Sequence, residues 1–142
     1  MAEFDFRPPQ LSDREWAVKL LAESDFRGCL YTFGNNYVWR NAYNAEICRF
    51  EDFYLLKNTD HTSGTPRFLY PSGSGDIRRL IPALKSYCRE LNIPLLMTAN
   101  AECTAVLKSL YPDVSAVADR DGFDYVYNLS LIHISEPTRP RL

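Results

Sequence analysis

The chain has 142 residues, of which 46% are hydrophobic and 24% charged, values typical of one globular domain with a substantial core. Its net charge of −2 argues against a tight nucleic-acid-binding surface in this segment. No apolar run reaches the length of a membrane span, and the start MAEFDFRPPQ lacks the regions of a signal peptide, so we expect a cytoplasmic protein.

The cysteine and histidine content limits which disulfides and metal sites the chain can form. The four cysteines form no C-x-x-C pair, and two histidines are too few to complete a zinc site. We therefore predict free thiols, no metal and no cofactor.

The N-terminal region predicts a strand and a helix. Residues 4–6 alternate as a short strand that two prolines close. Ser12 and Glu15 have the spacing of a capping box, and Leu11 and Trp16 that of a hydrophobic staple, so a helix is predicted from Ser12 onward.

A second helix is predicted within residues 27–44. Thr32 or Asn35 would cap it, and its apolar residues at helical spacing are Val38, Trp39, Ala42 and Tyr43. The many aromatic residues here have two interpretations: they pack against a sheet, or they form a stacking platform for an adenine base or an RNA end.

Two strands follow, at residues 45–49 and 53–57. Glu51 and Asp52 occupy the turn between them and are interpreted as solvated turn residues rather than as a general acid and base. His61 lies in the polar loop that follows and is interpreted as a surface histidine.

The segment 68–91 predicts a strand, a glycine turn and a helix. The strand comprises residues 67–70, and Asp76 is the predicted cap of the helix. The apolar face of the helix comprises Ile77, Leu80, Ile81, Leu84, Cys88 and Leu91. Pro82 predicts a kink or a later helix start.

The same turn is a candidate anion site. Gly73 and Gly75 permit backbone conformations that point amides outward at a helix start, which suits a phosphate or carboxylate. We predict weak anion binding by Gly73, Ser74, Gly75, Arg78 and Arg79, against the alternative of a plain loop with a solvated helix face.

The remaining elements complete a mixed sheet. Residues 94–98 predict a central strand, and Asn100 caps a helix that ends before Pro112. The apolar face of this helix comprises Cys103, Val106, Leu107 and Leu110. A turn at 119–122 and a strand at 123–127 follow. The order β-α-α-β-β-β-α-β-α-β predicts an α+β fold with helices on both faces of the sheet.

Residues 129–139, LSLIHISEPTR, resemble the translation of a transposase adapter used in sequencing libraries. We therefore expect a natural domain at 1–128 and an adapter-derived tail at 129–142. On this interpretation the gene product continues beyond the fragment.

The element order is similar to that of the GNAT-like acyl-CoA N-acyltransferases. Their pyrophosphate-binding loop, Q/R-x-x-G-x-G/A, corresponds to YPSGSG at 70–75. Gly73 and Gly75 match the pattern, whereas Tyr70 replaces the Gln or Arg. The resemblance implies a GNAT-like fold, and the departure at Tyr70 weakens the case for coenzyme A binding.

A more specific resemblance is to the phosphatidylglycerol lysyltransferase C-terminal-domain family. The blocks RGCLYTFGNNYVWRNAYN, FLYPSGSGD and DRDGFDYVYN carry it. This bacterial family is implied to contain two tandem GNAT-like domains and to move an aminoacyl group from aminoacyl-tRNA to a lipid or small-molecule acceptor. The chain resembles the first domain, which implies a missing second domain in cis and leaves the catalytic residues unknown.

Three functional hypotheses follow. In the first, the chain is the N-terminal half of an aminoacyl-tRNA-dependent transferase and is inactive alone. In the second, it is a self-contained acyl-CoA N-acyltransferase. In the third, it is a non-catalytic scaffold.

Overall fold

The computed structural model describes residues 4–118, and its sheet begins as an antiparallel hairpin. Strand β1 (Glu46–Phe50) pairs with β2 (Phe53–Thr59), with Phe50 opposite Phe53, and the turn between them places Glu51 at φ +51°. Strand β3 (Pro66–Leu69) then pairs antiparallel with the far half of β2. The three strands predicted here are confirmed, with shifts of one or two residues at their ends.

Two short strands complete the described part of the sheet. Strand β4 (Ser72–Gly73), which sequence reasoning treated as a turn, pairs with the first residues of β2. Strand β5 (Met97–Thr98) pairs parallel to β3. Within residues 4–118 the strand order is β1-β2-β3-β5, and the strand predicted at 94–98 is present with only two paired residues. Its central place stays a prediction, because the strand predicted at 123–127 lies outside the described residues.

Helices cover both faces of the sheet. Helices α1 (Arg14–Ser24) and α2 (Phe33–Val38) share a core with one face, and α3 (Ile77–Glu90) shares a core with the other. The first core contains Ala17, Leu20, Leu21, Phe33, Ala45, Ile47, Tyr54, Leu56 and Leu69. The second contains Phe4, Cys48, Phe53, Leu55, Phe68, Leu80, Leu84 and Cys88. The predicted α+β class, a mixed sheet between two helical layers, is confirmed.

The N-terminal segment is not the predicted strand. Its only ladder contact within the described residues is an isolated bridge between Arg7 and Ile47, because Pro8 and Pro9 supply no further N–H donors. Phe4 instead packs its ring against Phe50, with centroids 5.0 Å apart. The segment is therefore attached to β1 by aromatic packing more than by pairing.

The capping box predicted at Ser12 and Glu15 is wrong. The helical region opens with a 3-10 turn, and the side chain of Asp13 accepts the backbone N–H of Gln10 at 2.9 Å. The predicted staple is also absent, since Leu11 is 66% exposed. A buried acidic side chain is thus the residue that organises this helix start.

Helix α2 is shorter than predicted and turns a different side to the core. It follows Thr32, one of the two predicted caps, although the Thr32 side chain bonds to the carbonyl of Cys29 rather than to a helix amide. Phe33 and Asn36 are buried, whereas Val38, Trp39 and Tyr43 are exposed. Helical spacing alone therefore selected the wrong face.

Helix α3 runs from Ile77 through Pro82 without interruption. Pro82 is exposed, so water can satisfy the carbonyl one turn earlier that loses its backbone donor. Leu80, Ile81, Leu84 and Cys88 are buried as predicted, whereas Leu91 lies beyond the helix and is exposed.

Helix α4 (Ala101–Leu110) begins after Asn100 and ends before Pro112, as predicted. Its apolar face is only partly covered: Cys103 is buried, whereas Val106 and Leu110 are exposed. The predictions of a turn at 119–122, a strand at 123–127 and a domain boundary at 128 lie outside the described residues and stay predictions.

None of the helices in residues 4–118 is long and apolar enough to cross a membrane.

Candidate functional site

The carboxyl ends of the parallel strands β3 and β5 meet at one edge of the sheet. Pairing continues past β3, because the N–H of Tyr70 donates to the carbonyl of Thr98 at 2.8 Å. Strand β4 and then helix α3 follow β3, and α4 follows β5, so both helices begin close to this edge. In open α/β sheets this edge is where ligands are commonly bound, and it is the candidate site.

The glycine turn at this edge is held by contacts within the chain. The N–H of Gly73 donates to the Ser24 hydroxyl at 2.8 Å, which ties the turn to the end of α1. Gly75 lies against Phe53, whose ring carbon would be 2.6 Å from an added Cβ. Close packing therefore requires both glycines, and one of the amides predicted to bind an anion already has a partner.

The two predicted arginines diverge from the first turn of α3. Arg78 forms a two-point ion pair with Asp76, both distances being 3.1 Å. Arg79 reaches Glu51 in the β1–β2 turn at 2.6 Å. The structure does not bring the two guanidinium groups together, and each faces a carboxylate of the chain. Anion binding by Gly73, Ser74, Gly75, Arg78 and Arg79 stays a prediction.

Asp76 caps α3, as predicted. Its carboxylate accepts the N–H of Arg78 at 3.0 Å, and the hydrogen bonds from Arg78 hold the pKa of this carboxyl below its usual range. We expect Asp76→Ala to lower the free energy of unfolding, because the helix start loses its acceptor. Urea denaturation at pH 7 measures this. Asp76→Asn keeps a capping oxygen and should retain most of the stability; equal losses in both variants would contradict a capping role.

A cleft of about 440 Å³ lies between the start of α3 and α4. Its lining is mainly apolar, with Arg78 at the helix start, and comprises Ile77, Arg78, Ala105, Val106, Ser109 and Leu110. The cleft is open to solvent along the partly uncovered face of α4.

Sequence reasoning did not identify an aromatic group at the same edge. The ring of Phe26 lies 5.1 Å from that of Tyr31 and 6.0 Å from that of Tyr70. Cys103, in the first turn of α4, is close enough to interact electrostatically with both tyrosines. Only the topology joins these residues: the loop after α1 reaches the sheet edge at which β3 ends and α4 begins. No spacing pattern in the sequence could have shown this.

Burial keeps these groups protonated. Loss of solvent raises the pKa of the Tyr31 and Tyr70 hydroxyls, and it raises the pKa of the Cys103 thiol to about 11. At neutral pH all three carry a proton. The group therefore supplies neutral hydrogen-bond donors rather than a thiolate nucleophile.

The other candidate residues lie elsewhere. Glu51 and Asp52 are exposed in the β1–β2 turn, as predicted. His61 is exposed, and one ring nitrogen lies 2.6 Å from the carbonyl of Ala42. Within residues 4–118 no cluster of three metal-ligating side chains is present.

Two interpretations were given for the aromatic residues of the α2 region, packing against the sheet and an exposed stacking platform, and the residues divide between them. Phe33 is buried, and Tyr31 and Tyr37 pack against the first core. Trp39 and Tyr43 are about half exposed, with ring centroids 6.2 Å apart and planes inclined at 54°. Core packing accounts for the first three residues.

Comparison with known proteins gives one family. The family described as "Phosphatidylglycerol lysyltransferase, C-terminal" matches residues 21–135. This match includes the three sequence blocks that carried the resemblance. No curated protein matches the sequence.

Solved structures with a similar fold include the following two. A conserved protein of unknown function from Bacteroides thetaiotaomicron superposes with a TM-score of 0.71 at 22% identity, over 78% of this chain and 37% of that protein. A ribosomal-protein-alanine N-acetyltransferase from Brucella melitensis gives a TM-score of 0.48 at 18% identity, over 87% of this chain and 98% of that protein. The chain thus spans little more than a third of the length of the Bacteroides protein.

Proposed function

Because the chain belongs to the phosphatidylglycerol lysyltransferase C-terminal family, we propose that it is the first GNAT-like domain of an aminoacyltransferase. Its family and GNAT-like fold support an acyltransferase-like function. In the proposed reaction the whole protein moves an aminoacyl group from aminoacyl-tRNA to a lipid or small-molecule acceptor. The observation that carries the proposal is the family match, which extends over residues 21–135.

The proposal includes a second GNAT-like domain in cis. The Bacteroides protein with a similar fold is much longer than this chain, which spans 37% of it. The exposed Val106 and Leu110 on α4 supply an apolar surface on which further protein could pack. Both observations support a protein in which this domain is one part.

We place tRNA binding in the remaining part of that protein. The chain has a net charge of −2, and tRNA binding requires a basic surface. Arg78 and Arg79 at the candidate site are each paired with a carboxylate. We therefore expect the chain to be inactive alone. A cytoplasmic location is supported by its four free thiols.

Coenzyme A is the alternative donor, favoured by the match of Gly73 and Gly75 to the GNAT loop. The bond from Gly73 to Ser24 and the carboxylate of Asp76 at the helix start both oppose a pyrophosphate there. We expect acetyl-CoA to leave the Tm unchanged, since a ligand raises the Tm only if it binds the native state. A concentration-dependent rise would favour the acyl-CoA enzyme.

The experiment that tests the main proposal begins with the coding sequence beyond codon 128. We expect it to continue into a second GNAT-like domain. The continuous protein should then transfer a radiolabelled aminoacyl group from charged tRNA to phosphatidylglycerol vesicles or to a water-soluble acceptor, and the 142-residue chain should not. A native stop after Leu142 would contradict the two-domain proposal, and no transfer by the continuous protein would favour a non-catalytic scaffold.

A further inference from the structure

A second cleft, of about 540 Å³, lies at the far end of α3, where the chain turns from Glu90 toward β5. The last turns of α3 form one side of it, and residues 92–95 form the other. Helix α3 has 14 residues and is about 20 Å long, so this cleft is well separated from the glycine turn at the start of the helix. The proposed acyltransferase function assigns no role to it.

The charged side chains that line this cleft are both basic. Lys85 and Arg89 are four residues apart on α3, so they lie on the same side of the helix. Neither belongs to an ion pair within residues 4–118, whereas Arg78 and Arg79 at the other end of α3 are both paired. The Lys85 ammonium lies 4.7 Å from the centre of the Tyr111 ring, which leaves it free to bind an anion as well. The cleft therefore has a positive charge that no lining carboxylate offsets.

The end of α3 opposes an anion less than a free helix terminus would. The last carbonyls of a helix repel anions when they have no hydrogen-bond partner. Here the N–H groups of residues 91–93 donate to three of these carbonyls, at distances of 2.9–3.2 Å. Asn92 takes part in this turn with φ +56°, and it also lines the cleft, where its side-chain amide is a neutral donor.

The remaining lining residues are apolar. Ile93 and Leu95 are partly buried and pack against the second core, and Cys88 is 2% exposed. Burial raises the pKa of the Cys88 thiol, so this group carries no charge at neutral pH. The cleft thus combines two cations with an apolar wall, and a matching ligand has a negative group at one end and hydrocarbon at the other.

We propose that this cleft binds a carboxylate that carries a short aliphatic chain. The planar guanidinium of Arg89 can donate two parallel hydrogen bonds to a carboxylate, and Lys85 adds a second positive charge. The aliphatic chain lies along Ile93 and Leu95. A single negative charge suits the site better than the double charge of a phosphate, because the apolar wall cannot solvate an ion. This site is additional to the proposed function and does not depend on it.

The test is an NMR titration of the ¹⁵N-labelled 142-residue chain with octanoate, below its critical micelle concentration. We expect saturable shifts of the Arg89 and Asn92 side-chain signals and of the Ile93 amide. Octanol lacks the charge and should bind about fivefold more weakly. Acetate lacks the chain and should bind at least about tenfold more weakly. Equal affinity for octanol and octanoate, or no saturable shift with octanoate, would overturn the proposal.

Charge-removing variants test the two cations. Arg89→Gln and Lys85→Gln alter exposed side chains, so the Tm should stay unchanged, while octanoate binding weakens about fivefold and octanol binding does not change. The matched control is Arg14→Gln, at an exposed position on α1, which packs on the other face of the sheet. It should bind octanoate as wild type does. An equal loss of octanoate affinity in all three variants would show an effect of net charge alone and would contradict a site at this cleft.

Discussion

Replacing Asp13 with alanine is expected to lower the free energy of unfolding by about 3 kcal/mol. Asp13 is 2% exposed and accepts hydrogen bonds from the Arg7 guanidinium, the backbone N–H of Gln10 and the indole N–H of Trp16. Its loss leaves these donors without an acceptor and releases the N-terminal segment from α1. Urea denaturation at pH 7 measures the effect.

The same residue predicts an acid sensitivity. The hydrogen bonds from Arg7 lower the pKa of Asp13 from 3.8 to about 2 in the folded chain. Because the folded pKa lies below the unfolded one, its contribution is complete above about pH 4 and is lost as pH falls toward 2. This contribution is about 2 kcal/mol. The difference in free energy of unfolding between wild type and Asp13→Ala should therefore decrease as the pH falls from about 4 toward 2.

Asp60→Ala is the matched control for Asp13. Asp60 is exposed and bonds only within its own turn, to Thr62 and Ser63. Its substitution should change the free energy of unfolding much less than Asp13→Ala does, as is usual for surface sites. A loss below 1 kcal/mol for Asp13→Ala would show that the hydrogen bonds of Asp13 add little to stability.

Gly73→Ala is expected to lower the free energy of unfolding by about 3 kcal/mol or more, at least as much as Asp13→Ala. Gly73 has φ +134°, which L side chains rarely adopt, and an added Cβ would lie 1.9 Å from the carbonyl oxygen of Asp52. Because the clashing atom belongs to the backbone, β4 must separate from β2. Chemical denaturation measures the loss, and hydrogen exchange of the Tyr54 amide reports the separation.

Gly34→Ala provides the matched control for Gly73. Gly34 lies in α2, and an added Cβ would have no atom within 4 Å. Alanine there should raise the free energy of unfolding by about 0.5–1 kcal/mol, since it favours the helix and restricts the unfolded chain. Equal effects of the two alanine substitutions would show that the close approach at Gly73 does not limit stability.

The elements that the sequence predicts correctly are those determined by the pattern of neighbouring residues. Strands β1 and β2 follow from short segments with apolar residues on each side of a polar turn, and α3 from the apolar spacing after Asp76. The start of α1 was wrong because Ser12 has the usual chemistry of a cap, whereas Arg7 and Trp16 together favour a buried carboxylate at Asp13. At this helix start, contacts with the preceding segment outweigh the local capping preference of Ser12.

The candidate site was predictable only in part. The glycine turn was identified from its composition, and its place before α3 is confirmed. The contacts that already engage its groups were not predictable. Gly73 bonds to Ser24 and Arg79 pairs with Glu51, and both partners come from distant segments. The group around Phe26 is likewise assembled by topology alone. The separation of Arg78 from Arg79 follows from the 100° turn between successive residues of a helix.

The pairing pattern of the sheet also has a kinetic consequence. Strands β1, β2 and β3 are joined by short connections, so their pairing closes small loops and can form early. The parallel contact between β3 and β5 must wait for the whole of α3 to be placed. We therefore expect the edge that carries Tyr31, Tyr70 and Cys103 to form after the pairing of β1, β2 and β3, and to open before the pairs of β2 do.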